Sequence, residues 1–136
     1  MDTEIPEEFW QGIAQFNRGE FYACHDTLEA IWIEAPRFEK NFYQGILQIA
    51  VGLYHLSNHN WRGSVILLSE GINRLQAYQP EHGGVDVERL IDDAAEFLNE
   101  VQTVGHDRVA QIVLTHTIPP ESQDKIFLSP PIIQKR

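Results

Sequence analysis

Hydrophobic and polar positions repeat with a helical period over most of this chain, and the segment 42–55 shows the pattern most clearly. Apolar residues fill most of its circumference when it is drawn as a helix. Gln44, Gln48 and His55 fall within an arc of about 40°, at roughly 100° per residue. Because a helix that is apolar on nearly every side lies in the middle of a bundle, the pattern predicts a buried central helix with one polar line.

Four other segments are amphipathic with the same period, so the predicted fold class is all-α, a bundle of about five helices with a buried third helix. Pro6 suits the start of the first helix, and Gly19 suits a left-handed end to it. Asp86 can cap the fifth helix. Gly45 and Gly52 are costly inside the central helix, so we expect close packing against a neighbouring helix there. The predicted helices are 6–17, 20–34, 38–56, 62–78 and 86–104.

The chain changes character after residue 105. Proline pairs at 119–120 and 130–131 exclude long helices, and 109–114 could be a helical turn or an extended run. The apolar residues that follow are too many for a freely solvated tail. We therefore expect residues 1–105 to form the helical bundle domain, and residues 106–136 to form an extended, proline-rich C-terminal tail that packs on the bundle or on a partner.

The polar line of the central helix needs partners, because an unpaired buried polar group costs about 1–3 kcal/mol. We expect these partners in the second helix, where His25 and Glu29 are one turn apart at the edge of the apolar face. The sequence therefore predicts a small buried polar pocket between the second and third helices. Its candidate residues are Tyr22, His25, Glu29, Trp32, Gln44, Gln48, Tyr54 and His55.

Three interpretations of this pocket stay open. It could bind an unidentified small molecule or carry acid–base chemistry, since a histidine beside a carboxylate can titrate near neutral pH. The polar line could instead be purely structural, in an interaction or scaffold module whose tail contacts a partner protein or a second copy as a homodimer. The third alternative is a divalent metal bound by His25, Glu29 and His55, with Asp26 and His59 as outer ligands. No other cofactor is predicted, and the sequence does not decide whether the chain is an enzyme.

Charge and composition narrow the range of partners. The formal net charge is −10, and the ten Lys and Arg residues form no stripe, so no nucleic acid is expected as a partner. No apolar run reaches the ~18 residues of a membrane span, and the acidic N-terminus lacks an apolar signal region. The single cysteine, Cys24, fits a reducing compartment and is expected in the core. We therefore expect an acidic, soluble and cytoplasmic protein.

Three motifs in order carry a family resemblance. They are the run 16–32 with its Arg18-Gly19 corner and His25, the run 42–55, and the run 60–64 continuing to Gly71. Together they resemble domain-of-unknown-function family 309 over about residues 9–78. Asp26 stands where that family commonly has Glu. The resemblance implies an all-α helical bundle and no established activity.

Overall fold

Five α-helices form the frame of the fold, which the computed structural model describes for residues 5–117 and 124–136. The predicted all-α bundle is confirmed, and each helix lies within a few residues of its predicted range. Short strands and 3-10 turns complete the fold. The elements are α1 (Glu7–Asn17), α2 (Phe21–Glu34), α3 (Arg37–Ser57), α4 (Trp61–Leu75), a 3-10 turn (Gln76–Tyr78), β1 (Glu81–His82), β2 (Val85–Asp86), α5 (Val87–Val104), a second 3-10 turn (His106–Gln111), β3 (Ile112–Leu114) and β4 (Ile126–Leu128).

The helix ends follow the local chemistry that the sequence indicated. Gly19 takes a φ of 81°, in the left-handed region that a side chain rarely adopts. The carboxylate of Asp86 accepts a hydrogen bond from the backbone N–H of Arg89 at 3.1 Å, as expected of a residue that caps α5. The 79–84 segment, expected as a loop, instead contributes β1, which pairs antiparallel with β2.

Helix α3 is the central helix, and it packs against α2 and α4. Phe42, Ile46, Ile49 and Leu53 are fully buried along it. The expectation of burial on every side is wrong, however, because the polar line of α3 is only half-buried. Within residues 5–117 and 124–136, no helix combines the length and the apolar character that crossing a membrane would require.

The close packing expected at the glycines of α3 occurs against α4. A Cβ atom added at Gly71 would lie 2.7 Å from the carbonyl oxygen of Gly45 and 3.1 Å from the backbone nitrogen of Ile49. Both atoms belong to the backbone and cannot rotate away. Two glycines therefore allow the α3 and α4 backbones to approach more closely than side chains would permit.

The C-terminal residues that the structure describes pack on the bundle. Asn17 exchanges two hydrogen bonds with the backbone of Ile133, at 2.9 and 2.8 Å. Ile112, Leu128 and Ile133 are buried in the same core as the helices, and β3 pairs parallel with β4. Residues 106–111 form a 3-10 turn rather than an extended run. The expectations for Pro119 and Pro120 lie outside the described residues, and a domain boundary at residue 105 stays a prediction.

Replacing Gly71 with alanine tests the α3–α4 contact. At an open helical position, glycine-to-alanine stabilises by about 0.5–1 kcal/mol. At Gly71 the added methyl meets backbone, so we expect Gly71→Ala to lower the free energy of unfolding by about 1–3 kcal/mol. Urea unfolding measures the change, with the exposed Ser69→Ala as a control within about 0.5 kcal/mol of the parent. A Gly71→Ala protein as stable as the control would contradict the close approach.

Candidate functional site

All the candidate residues line two adjoining cavities along the seam between α2 and α3. The cavities share His25 and Val51 and have volumes of about 310 and 170 Å³. The larger one is lined by His25, Glu29, Trp32, Gln44, Leu47, Gln48, Val51 and Leu67. The smaller one is lined by Phe21, Tyr22, His25, Val51, Tyr54 and His55. We call the two together the α2–α3 groove.

The groove is open to solvent, so the expectation of a buried pocket is wrong. Tyr22 is 57% exposed, and the side chains of Glu29 and His25 are 47% and 29% exposed. The physical reason is the position of the polar line on α3. It lies at the seam that α2 and α4 leave between them, where Leu67 of α4 also lines the cavity.

His25 is held between two carboxylates of its own helix. Its Nε2 lies 3.0 Å from an oxygen of Glu29, one turn away, and its Nδ1 lies 3.3 Å from an oxygen of Asp26. Of these two contacts, only the one with Asp26 has the geometry of a hydrogen bond, and the one with Glu29 is close enough for an ion pair. Each ring nitrogen therefore has a carboxylate of the same helix within 3.3 Å.

Gln48 finds its partners on α4, not on α2 as expected. Its amide nitrogen donates to Glu70 at 3.0 Å, and its amide oxygen accepts from the guanidinium of Arg74 at 3.0 Å. His55 faces Asn60, with 3.4 Å between the ring nitrogen and the amide nitrogen. The groove residues therefore converge in space, but among them only His25 and Glu29 form a polar pair with each other.

The predicted metal ligands do not assemble. In the part of the chain that the structure describes, no three His, Cys, Asp or Glu side chains lie close enough together to hold a metal ion. His25, Glu29 and His55 line the groove without forming such a group. Cys24 is buried in the core as expected, and burial raises the pKa of its thiol to about 12. The thiol is therefore no candidate nucleophile.

Sequence reasoning missed a second polar pair, formed by Glu39 and His82. Glu39 is only 4% exposed, and its carboxylate accepts a hydrogen bond from Nε2 of His82 at 2.8 Å. The imidazole packs on the rings of Phe42 and Tyr78, at centroid distances of 4.6 and 4.9 Å. One signal was available, because Glu39 lies three residues before Phe42, and Phe42 lies four before Ile46, which is the spacing of the buried face.

This buried carboxylate affects the pKa values of two tyrosines. Burial raises the pKa of Tyr43 to about 12, and the negative charge of Glu39 adds to the effect. The same two causes raise the pKa of Tyr78. Both phenols are therefore neutral at pH 7.

Comparison with known proteins finds a family match for the segment that contains most of α1, all of α2 and α3, and the start of α4. Residues 9–67 match the family model described as Domain of unknown function (DUF309). This segment is similar to the DUF309 family. This confirms the resemblance that the sequence motifs indicated. The DUF309 segment contains the candidate residues of the α2–α3 groove and Glu39, whereas His82 lies beyond it.

One curated relative extends the similarity. The Uncharacterized protein YpuF of Bacillus subtilis (strain 168) is 33% identical to this chain over 89 residues, which cover 63% of this chain and 51% of YpuF. The chain thus spans about half the length of this relative. Neither the DUF309 description nor the name of YpuF states an activity.

The raised pKa of Tyr43 predicts a loss of stability at alkaline pH. The folded state holds the phenolic proton more tightly than the unfolded state, whose pKa is near 10.0. The contribution is therefore complete below pH 10 and is lost as the pH rises towards 12. Urea unfolding at several alkaline pH values should show a shallower decline for Tyr43→Phe than for the parent. Tyr22→Phe, at an exposed tyrosine, controls for the loss of a phenol, and equal declines in all three proteins would refute the assignment.

Proposed function

We propose that the α2–α3 groove binds a small organic molecule. One observation carries the proposal, namely the convergence of the residues selected from the sequence on two adjoining cavities that share His25 and Val51. A concave surface that combines an apolar floor with a few polar groups is the usual form of a ligand site. In this groove the floor consists of Leu47, Val51 and Leu67.

The polar groups without partners indicate the chemistry of the ligand. The indole N–H of Trp32 is buried and has no hydrogen-bond partner among the described residues. A buried donor without a partner is costly, so a shift of the indole that brings this N–H to an acceptor atom of a ligand would be favourable. Gln44, which lines the same cavity, carries an amide that can both donate and accept. A neutral molecule with an amide or carbonyl group and an apolar body fits this set best.

The state of His25 favours binding over proton transfer. A general base needs a free nitrogen within hydrogen-bond reach of its substrate. Nδ1 of His25 instead hydrogen-bonds Asp26, and Nε2 lies 3.0 Å from Glu29 at ion-pair distance. We therefore propose that this pair fixes the wall of the groove and donates no proton in a reaction.

A titration with three matched probes tests the proposal. Benzamide, benzylamine and benzoate share a ring and differ in charge and hydrogen-bonding capacity. We expect benzamide to shift the NMR signals of the Trp32 indole N–H and the Gln44 side-chain amide more than the two charged probes do. Gln44→Ala should weaken benzamide binding by about 2- to 10-fold, the value of one hydrogen bond. Gln102→Ala, at an exposed position of α5, is the matched control.

Two outcomes would count against the groove as a ligand site. One is the absence of any change at Trp32 and Gln44 up to the solubility limit of all three probes. The other is benzamide binding of equal strength in the parent, the Gln44→Ala protein and the control.

A second candidate function is self-association through the exposed face of α2. Tyr22 and Ile33 are 57% and 60% exposed. Tyr22 lies three residues before His25, and Ile33 lies four after Glu29, so they share the face of α2 that carries this pair. Exposed apolar residues on one face are typical of interaction surfaces. Analytical ultracentrifugation should then detect a dimer that the double variant Tyr22→Ser, Ile33→Ser abolishes. A monomeric parent at every concentration measured would reject this candidate.

A further inference from the structure

A separate cavity, of about 460 Å³, lies where the start of α1, the end of α2 and the start of α3 meet. None of its lining residues belongs to the α2–α3 groove. Its volume lies within the range of sites that bind small molecules. Nothing in the groove proposal depends on this cavity, so a proposal for the cavity and the proposal for the groove can fail independently.

Two buried polar side chains line this cavity with hydrogen-bonding capacity to spare. Glu39 and Tyr43 are 4% and 2% exposed. One carboxylate oxygen of Glu39 accepts from His82. Among the described residues, no hydrogen bond reaches the other carboxylate oxygen or the hydroxyl of Tyr43. Neither atom is among the fully buried, unpaired side-chain atoms of the described residues, so both can be reached by an occupant of the cavity.

The charges around the cavity have one sign. Among residues 5–117 and 124–136, the other charged residues that line it are Glu8 and Glu34, and no Lys, Arg or His does. Within the described residues, neither of these two carboxylates forms a salt bridge. Lys40, next to Glu39 in sequence, directs its ammonium to the carbonyl oxygens of Trp32 and Ile33. The cavity therefore presents acceptors and negative charge to whatever occupies it.

The walls and the geometry decide which kind of cation fits. Ala30 and Ile31 contribute apolar surface, which a bare metal ion would not use. The carboxylates also do not come together as a metal-binding group in the described part of the chain. An organic cation, with a charged head and an apolar body, uses both features.

We propose that this cavity is a binding site for a primary amine with an apolar body. The ammonium donates hydrogen bonds to the free oxygen of Glu39 and to the hydroxyl oxygen of Tyr43. The hydrocarbon part packs on Ala30 and Ile31. His82 keeps the carboxylate in place from its other side.

Two isosteric probes separate charge recognition from apolar packing. We expect 2-phenylethylamine to bind, and 2-phenylethanol to bind at least about 10-fold more weakly, because hydrogen bonds to charged groups are the stronger kind. Calorimetry gives the affinities, and NMR shifts at Gln11, Thr27 and Ala30 give the location. Glu39→Gln should reduce the amine affinity to nearly that of the alcohol.

A second variant keeps the test decisive if Glu39→Gln does not fold. Ala30 is an exposed residue of α2, and leucine is a good helix former, so Ala30→Leu should fold and partly fill the cavity. It should weaken amine binding by about 10-fold, whereas Ala95→Leu, at an exposed position of α5, should not. Equal binding of amine and alcohol, or unchanged amine binding in Ala30→Leu, would overturn the proposal.

Discussion

The close approach of α3 and α4 at Gly45 and Gly71 is the constraint on which the rest of the structure depends. It seats one side of α3 directly on the α4 backbone, which leaves α2 to cover another side. Helix α1 and strand β3 also contact α3, and one strip of its circumference stays uncovered. The uncovered strip is the seam where the polar line lies, and for that reason the line can be polar without a penalty for burial.

Helix α3 thus carries two unlike polar features. Gln44 and Gln48 lie on the half-exposed seam, where their amides are available to α4 or to a ligand. Glu39 lies on the buried face in the first turn, where an ionised carboxylate needs compensation. His82 provides a hydrogen-bond donor, and the carboxylate oxygen that remains gives the neighbouring cavity its negative character.

The C-terminal residues contribute to this second feature. His82 belongs to the β1–β2 hairpin, and the backbone N–H of Asp86 donates to the carbonyl of Gln134 at 2.8 Å. Arg136 donates from its backbone to Gly84 at 2.9 Å. The end of the chain therefore holds in place the hairpin that positions His82 against Glu39 of the DUF309 segment. This links a part of the chain outside the family match to a buried charge inside it.

Local pattern was sufficient for the helices but not for the burial of particular faces. The 3.6-residue period located α1 to α5, and Gly19 and Asp86 marked two helix ends, because these effects act within a few residues. The pattern also selected side chains that converge on one groove. It could not show that the partners of Gln48 come from α4, or that His82 returns to Glu39, since both depend on how distant segments pack. A helix face at an open groove can have the same pattern of apolar and polar residues as a face that is buried.

Double-mutant cycles among Gln48, Arg74 and His25 test most directly whether the polar line faces an open seam. Gln48 is bonded to Arg74 and not to His25. Unfolding free energies of the single and double alanine variants should give a coupling of about 0.5 kcal/mol or more for Gln48 with Arg74. The coupling of Gln48 with His25 should stay within about 0.3 kcal/mol of zero. A strong coupling to His25 and none to Arg74 would mean that the polar line is a closed network between α2 and α3, and would contradict the open groove.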